Sequence, residues 1–187
     1  MASYLEFLVH GDDHELAAYL RGFAAGKGGA VRLIFAHDAG FRIKALRERI
    51  KHHGEVVHVM IDGAHRAWLR DALESAAPRY RFEIKGERKI ERAYFHFKFE
   101  TPSRKVAESI KQALTALPAG VAVTDYAPEE IVDPKAKGTE VYSPVHEYVF
   151  RGQGVVEGAV PGIVDARAAL AAIEFTDCDE IHVHHAA

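Results

Sequence analysis

Residues 91–100, with the sequence ERAYFHFKFE, constrain the fold of this chain more than any other segment. Their side chains alternate over the longest uninterrupted period-two run in the sequence, which is typical of a β-strand. One side of this strand carries Phe95, Phe97 and Phe99, and the other carries Tyr94, His96 and Lys98. Because an aromatic face of this kind must be covered, we predict a sheet that is built outward from this strand and has helices on its phenylalanine side.

The composition is that of a globular protein with room for one large domain or two small ones. The chain has 187 residues, of which 48% are hydrophobic and 27% are charged. The single cysteine, Cys178, excludes an internal disulfide framework and favours a reducing compartment, so we predict a cytoplasmic location. No apolar run approaches the length of a membrane span, and the N-terminal residues lack the pattern of a signal peptide. We therefore expect no membrane partner.

The N-terminal part, residues 1–78, reads as alternating strands and helices. Strands are predicted at 4–10, 30–37 and 55–61, and the last two are nearly continuous in apolar residues. Such runs are typical of strands that are buried on both faces, as in parallel sheets. Helices are predicted over residues 12–25, 41–53 and 64–76. The alternation predicts an α/β domain, a βαβαβα unit with a largely parallel sheet.

Beyond residue 78 the pattern changes to the α+β type. Residues 79–90 are predicted to form a bridging hairpin strand that turns at Gly86. Residues 91–187 follow the order of a ferredoxin-like split βαβ (βαββαβ) domain, whose last strand is predicted at 180–185. A long exposed loop is expected over 127–144, and the strand that follows it has glycines at 152 and 154, where a close backbone approach is expected.

Polar residues follow all three predicted N-terminal strands. In an open parallel sheet these residues meet at the carboxyl ends of the strands, where ligands bind. The histidines and aspartates would suit a divalent metal that activates water, which indicates a metal-dependent hydrolase acting on a phosphoester. The predicted metal ligands are His10, Asp12, His37 and Asp38, and the predicted proton acceptor is Asp62 or His65.

A structural interpretation competes with this metal site. Asp12, Asp38 and Asp62 each precede a predicted helix, where an aspartate caps free backbone amides. Capping explains all three aspartates, but it does not explain the histidines beside them. Both interpretations therefore stay open at the level of sequence.

The polar face of the strand at 91–100 is the second candidate surface. Helices cover one side of a ferredoxin-like sheet, so the other side must meet solvent, the other domain or a second copy of the chain. Tyr94, His96 and Lys98 lie on this side, and His182 and His184 are predicted on a neighbouring strand. This surface indicates an alternative function, a non-catalytic regulatory or assembly protein that forms a homodimer. A small-molecule ligand, by contrast, would bind at the predicted N-terminal metal site.

Charge distribution argues against nucleic acid and in favour of self-association. The net charge is −3 at pH 7, and the strands lack the glycine-aromatic signature of RNA-binding sheets. Basic segments at 42–53 and 85–92 are matched by acidic segments at 125–133 and 174–180. Opposite charges of this kind can pair between copies of the chain.

Cys178 is a poor candidate for a nucleophile. It lies between acidic residues in the sequence TDCDE, and nearby negative charge raises the pKa of a thiol. We therefore predict an inert cysteine.

Overall fold

A computed structural model describes residues 3–11, 15–27, 31–42, 55–134 and 146–187. The chain forms two compact units. Unit 1 contains Met1–Arg92 together with His182–Ala187, and unit 2 contains Ala93–Ile181. This division falls between Arg92 and Ala93, and His182–Ala187 are grouped with unit 1.

Within the described residues, unit 1 is a sheet with two helices packed on one face. In chain order its elements are β1 (Tyr4–Gly11), α1 (Leu16–Ala25), β2 (Ile34–Phe35), β3 (Glu55–Asp62), a 3-10 turn (Gly63–His65), α2 (Arg66–Ala76), the first part of β4 (Phe82–Thr101) and β8 (His182–His185). The predicted helices at 12–25 and 64–76 are confirmed as α1 and α2. The predicted helix at 41–53 lies almost entirely outside the described residues.

The predicted parallel sheet is wrong. β3 pairs antiparallel with β1, β4 pairs antiparallel with β1, and β2 pairs antiparallel with β3. An apolar run indicates that a strand is buried on both faces, but it does not indicate whether the neighbouring strands are parallel or antiparallel to it. The sheet is therefore antiparallel, and a βαβαβα unit is not formed.

Alternating side chains of β1 and β3 build the core of unit 1. Phe7, Val9, Val57, Val59 and Ile61 project from these strands into one buried cluster. The helices contribute the following residues to the same cluster: Leu16 and Leu20 from α1, and Leu69, Ala72, Leu73 and Ala76 from α2. The opposite face of β1 therefore carries Glu6 and His10, since alternate residues of a strand point to opposite faces.

The predicted hairpin at Gly86 is also absent. β4 runs without a turn from Phe82 to Thr101, and a register shift against β1 occurs between Leu8 and Val9, opposite Gly86 and Ile84. This β-bulge places one extra residue, Lys85, in β4 and reverses which of the following residues face the helices.

Unit 2 contains the second part of β4, α3 (Arg104–Thr115), β5 (Val121–Pro134), β6 (His146–Gly158), α4 (Gly162–Ala171) and β7 (Thr176–Cys178). The strands lie in the order β7, β4, β6, β5 and pair antiparallel. Ser103 caps α3 by accepting a hydrogen bond from the backbone amide of Val106 at 3.4 Å.

The predicted aromatic face of β4 is confirmed. Phe95, Phe97 and Phe99 are buried, as are Ile110 of α3 and Leu170 of α4. The rings of Phe97 and Phe99 lie against the backbone of β6 at Gly154 and Gly152, and a Cβ atom at Gly152 would lie 2.7 Å from Phe99. The close backbone approach expected at these glycines is therefore present.

The C-terminal part differs from the predicted ferredoxin-like domain in two places. The strand expected at 180–185 is present as β8 (His182–His185) but belongs to unit 1, and the strand that pairs with this part of β4 in unit 2 is the preceding segment, Thr176–Cys178. The first residues of the loop expected at 127–144 belong to β5, which pairs with β6 as far as Pro134. Residues 135–144 lie outside the described residues.

Among the described residues, none of the helices combines the length and the apolar character that a transmembrane span requires.

Candidate functional site

The antiparallel pairing separates the residues of the predicted metal site. Tyr4 lies opposite Asp62 and His10 lies opposite Val56, so His10 and Asp62 lie six positions apart along the paired strands. At the usual rise of a β-strand this is a distance of about 20 Å. His65 follows Asp62 in the 3-10 turn at the same end of β3. Only parallel strands would have brought these residues together at one edge of the sheet.

The other predicted ligands do not form a metal-binding group in the described structure. His37 is exposed, and Asp38 forms an ion pair with Arg21 at 2.6 Å. Asp12 lies outside the described residues. Across the described ranges, no group of three or more His, Cys, Asp or Glu side chains is placed to hold a metal ion. The metal site therefore stays a prediction without geometric support.

The capping interpretation is confirmed for Asp62. Its carboxylate accepts a hydrogen bond from the backbone amide of Ala64 at 2.9 Å at the start of the 3-10 turn. This bond satisfies one of the free amides that every helical segment presents at its N-terminus.

A cluster of two histidines and a carboxylate in unit 1 was not predicted. Glu6 of β1 accepts a hydrogen bond from His58 of β3 on one carboxylate oxygen and from His185 of β8 on the other. Burial alone would raise the pKa of Glu6, but the hydrogen bonds and charges of His58 and His185 outweigh burial and lower the pKa from 4.5 to about 2. The cluster connects the first and last strands of the unit, and no sequence motif marks it.

The polar face of β4 in unit 2 is concave. Two adjoining grooves of about 670 and 550 Å³ lie on it and share Lys98, Gln153 and Asp177. His96 and Lys98 are exposed here, as expected for the uncovered face. His182 and His184, which were predicted on this face, belong to unit 1, and β7 occupies the neighbouring position beside β4.

Seven of the sixteen residues that line the two grooves are charged. Lys98 pairs with Asp177 at 3.3 Å, and Arg151 pairs with Glu129 at 2.7 Å. All four side chains are at least half exposed, so each pair contributes little to stability, because water screens it. Each of these charged side chains can therefore leave its ion-pair partner and bind a group of another molecule at a small cost in free energy.

Phe175 is the unusual residue of this surface. It lies at the larger groove, and 51% of its surface is exposed. Its φ angle is +65°, a left-handed conformation that glycine adopts easily and that is a rare and strained one for a bulky residue. The fold therefore holds an apolar ring in water on a strained backbone.

Cys178 lies beside this face but is not suited to nucleophilic chemistry. Burial raises the pKa of its thiol, the charge of Arg167 lowers it, and the charges of Asp177 and Asp179 raise it, with a result of about 11. The expected direction of the shift is confirmed, although burial is its largest cause.

Comparisons with known proteins do not assign the chain to a family. No protein-family profile matches it, and no curated protein matches its sequence. An unknown protein from Galdieria sulphuraria is 14% identical with a TM-score of 0.31, over 100% of this chain and 99% of that one. The CRISPR-associated protein Cas6e from Escherichia coli K-12 is 11% identical with a TM-score of 0.29, over 96% and 98% of the two chains. At these TM-scores the chain is similar to both structures only weakly, and neither supports a conclusion on its fold or function.

Proposed function

We propose that this protein is a non-catalytic assembly protein that associates with further copies of itself through the open sheet face of unit 2. The observation that carries the proposal is Phe175, an exposed aromatic residue with a left-handed backbone at the edge of a groove. Exposed aromatic side chains are typical anchors of protein interfaces, and strained residues concentrate at functional sites.

The shape of the surface favours a macromolecular partner over a small ligand. Sites for small molecules enclose most of the ligand surface, whereas these two grooves run side by side on an open sheet face. The metal-dependent hydrolase predicted from the N-terminal residues has less support. The antiparallel register places His10 of β1 and Asp62 of β3 at opposite ends of the paired strands.

Replacing Phe175 with glycine should weaken self-association without lowering the free energy of unfolding. Glycine removes the backbone strain and the exposed ring together, so we expect the free energy of unfolding to be unchanged or to rise by up to about 1 kcal/mol. Self-association should fall at least tenfold, since about 1.4 kcal/mol of anchor energy corresponds to that factor. Urea denaturation and sedimentation velocity over a concentration series measure the two quantities.

Tyr148 provides a matched control for this experiment. It is 47% exposed and also belongs to unit 2, but it lies outside both grooves. Tyr148→Ser should therefore leave self-association unchanged. A wild-type protein that stays monomeric at high concentration and low salt would contradict the proposed function, and so would equal association of the wild type and Phe175→Gly.

A further inference from the structure

The open sheet face of unit 2 has a net negative charge. The residues that line its two grooves include two cations, Lys98 and Arg151, and five acids: Glu100, Asp125, Glu129, Asp177 and Asp179. Two of the acids pair with the two cations. The other three are exposed and form no ion pair within the described part of the chain. Two positive and five negative charges give this face a net charge of −3 at neutral pH, apart from His96.

Phe175 gives the same face a second means of binding a cation. Its exposed ring lines the larger groove together with Glu100, Glu129 and Asp177. The face of an aromatic ring attracts an ammonium or guanidinium group, and a guanidinium can stack on a ring while it donates hydrogen bonds to carboxylates. The larger groove therefore combines the two features that recognise lysine and arginine side chains.

This charge decides which surface of a second copy the face can accept. Two copies of the same face, each at −3, repel each other, so a two-fold dimer through this face alone is disfavoured. The phosphate backbone of a nucleic acid is excluded for the same electrostatic reason. The partner must be cationic.

The strongest cationic segment of the chain is residues 42–53. Five lysines and arginines against one glutamate give this segment a net charge of +4. Unit 1 as a whole has sixteen lysines and arginines against thirteen aspartates and glutamates, which gives +3, so the rest of the unit without this segment has −1. The other basic segment, residues 85–92, has four basic residues against two glutamates, and its Lys85 already pairs with Glu83. The positive charge that could complement unit 2 is therefore concentrated at 42–53.

The basic segment starts at the surface of unit 1. Phe41 is buried, with 3% of its surface exposed, whereas Arg42 is exposed. Residues 43–53 lie outside the described residues, so the argument for them rests on their charge alone.

We propose that the acidic open face of unit 2 binds the basic segment 42–53 of a second copy. This inference rests on the proposed function and names the partner segment. Lysine and arginine side chains of the segment pair with Glu100, Asp125 and Asp179, and one of them lies over the ring of Phe175. Because these charges on unit 2 are exposed, the association should weaken at least tenfold between 0.05 and 0.5 M NaCl.

A segment variant tests the partner by removing its charge. It carries four substitutions: Lys44→Gln, Arg47→Gln, Arg49→Gln and Lys51→Gln. This variant should be monomeric in sedimentation velocity at 0.05 M NaCl, where the wild type associates. Because its open face is intact, it should bind a fluorescein-labelled synthetic peptide of residues 41–54, measured by fluorescence anisotropy. A peptide with the same four substitutions should bind at least tenfold more weakly.

Two charge-reversed proteins test the face. Glu100→Lys with Asp179→Lys, introduced into the segment variant, should weaken peptide binding at least tenfold. Asp71→Lys with Glu74→Lys is the matched control, since it changes the charge equally at two exposed acids of α2 that lie outside both grooves. This control should keep at least half of the affinity for the peptide. Equal losses in the two proteins would show that total charge, and not the open face, determines binding.

The outcomes distinguish this inference from the proposed function. If the segment variant associates as the wild type does, the partner surface is elsewhere and the inference is wrong, while self-association through unit 2 stands. If the wild type is monomeric at 0.05 M NaCl, the proposed function itself is wrong. Circular dichroism melting checks the folding of each variant. If the segment variant does not fold, the unlabelled peptide is added to the wild type, whose assemblies it should dissociate, and assemblies that persist at saturating peptide would overturn the inference.

Discussion

Replacing Gly152 with valine is expected to lower the free energy of unfolding by about 3 kcal/mol, the upper end of the usual cost of overpacking a core. A Cβ atom at this position would lie 2.7 and 2.9 Å from two ring carbons of Phe99 and 3.3 Å from the carbonyl oxygen of Ala127. The ring is only 5% exposed and cannot move into water. The substitution must therefore displace either Phe99 or the neighbouring strand.

Urea denaturation followed by circular dichroism measures this effect, and Gly86 provides the control. Gly86 also lies in a strand, but a Cβ atom built there has no neighbour within 4 Å. Gly152→Ala should be clearly destabilising, whereas Gly86→Ala should change the free energy of unfolding by less than about 0.5 kcal/mol. Equal effects at the two positions would show that close packing against Phe99 is not the reason for glycine at 152.

The second large effect is a loss of folding stability in acid, which comes from the protonation of Glu6. Its pKa is about 2 in the folded protein, against an ordinary value of 4.5. Because the folded pKa is the lower one, the stabilisation is complete above pH 4.5 and is lost as the pH falls towards 2. A difference of this size corresponds to roughly 3 kcal/mol in total, of which about 2 kcal/mol should be lost by pH 3.

Comparison with Glu6→Gln isolates this contribution from that of the other carboxylates. The free energy of unfolding of both proteins is measured by urea denaturation between pH 5.5 and pH 3. The wild type should lose about 2 kcal/mol more than the variant over this range. Parallel curves for the two proteins would show that the hydrogen bonds from His58 and His185 do not hold Glu6 ionised in solution.

The elements that were predicted correctly are those with a strong local period. The alternation at 91–100 identified the centre of β4 and its buried phenylalanines, and the helical periodicity of 12–25 and 64–76 identified α1 and α2. Such patterns report which side of an element is buried. They depend only on residues that are close in sequence, so no long-range information is needed to find them.

The direction and partners of the strands could not be predicted in the same way. β3 is apolar on both faces whether its neighbours are parallel or antiparallel, so its sequence fits both sheets. Gly86 and its polar neighbours resemble a hairpin turn, but β1 supplies a pairing partner on both sides of this position and the chain forms a bulge instead. In each case tertiary pairing decides between structures that are equally compatible with the local sequence.

The candidate residues divide in the same way into those that the sequence predicts and those that it does not. His96 and Lys98 were predicted on an exposed face because of their alternation with the phenylalanines, and they are found there. Phe175 was not predicted, because its distinguishing property is a positive φ angle. The sequence shows only an aromatic residue after a helix that ends without a glycine. Glu6 and His185 are separated by 179 positions, so only the folded sheet brings them together.

The return of the last strand to unit 1 affects the order in which the protein can mature during synthesis. Unit 2 is continuous in sequence and all its strands leave the ribosome before β8, whereas unit 1 must wait for His182–His185 before His185 can reach Glu6. The domain that starts first is thus completed last, the reverse of the usual order for consecutive domains. Until β8 has been synthesised, the carboxylate of Glu6 has only one of its two imidazole donors, and the sheet of unit 1 stays incomplete although the strands of unit 2 have already been made.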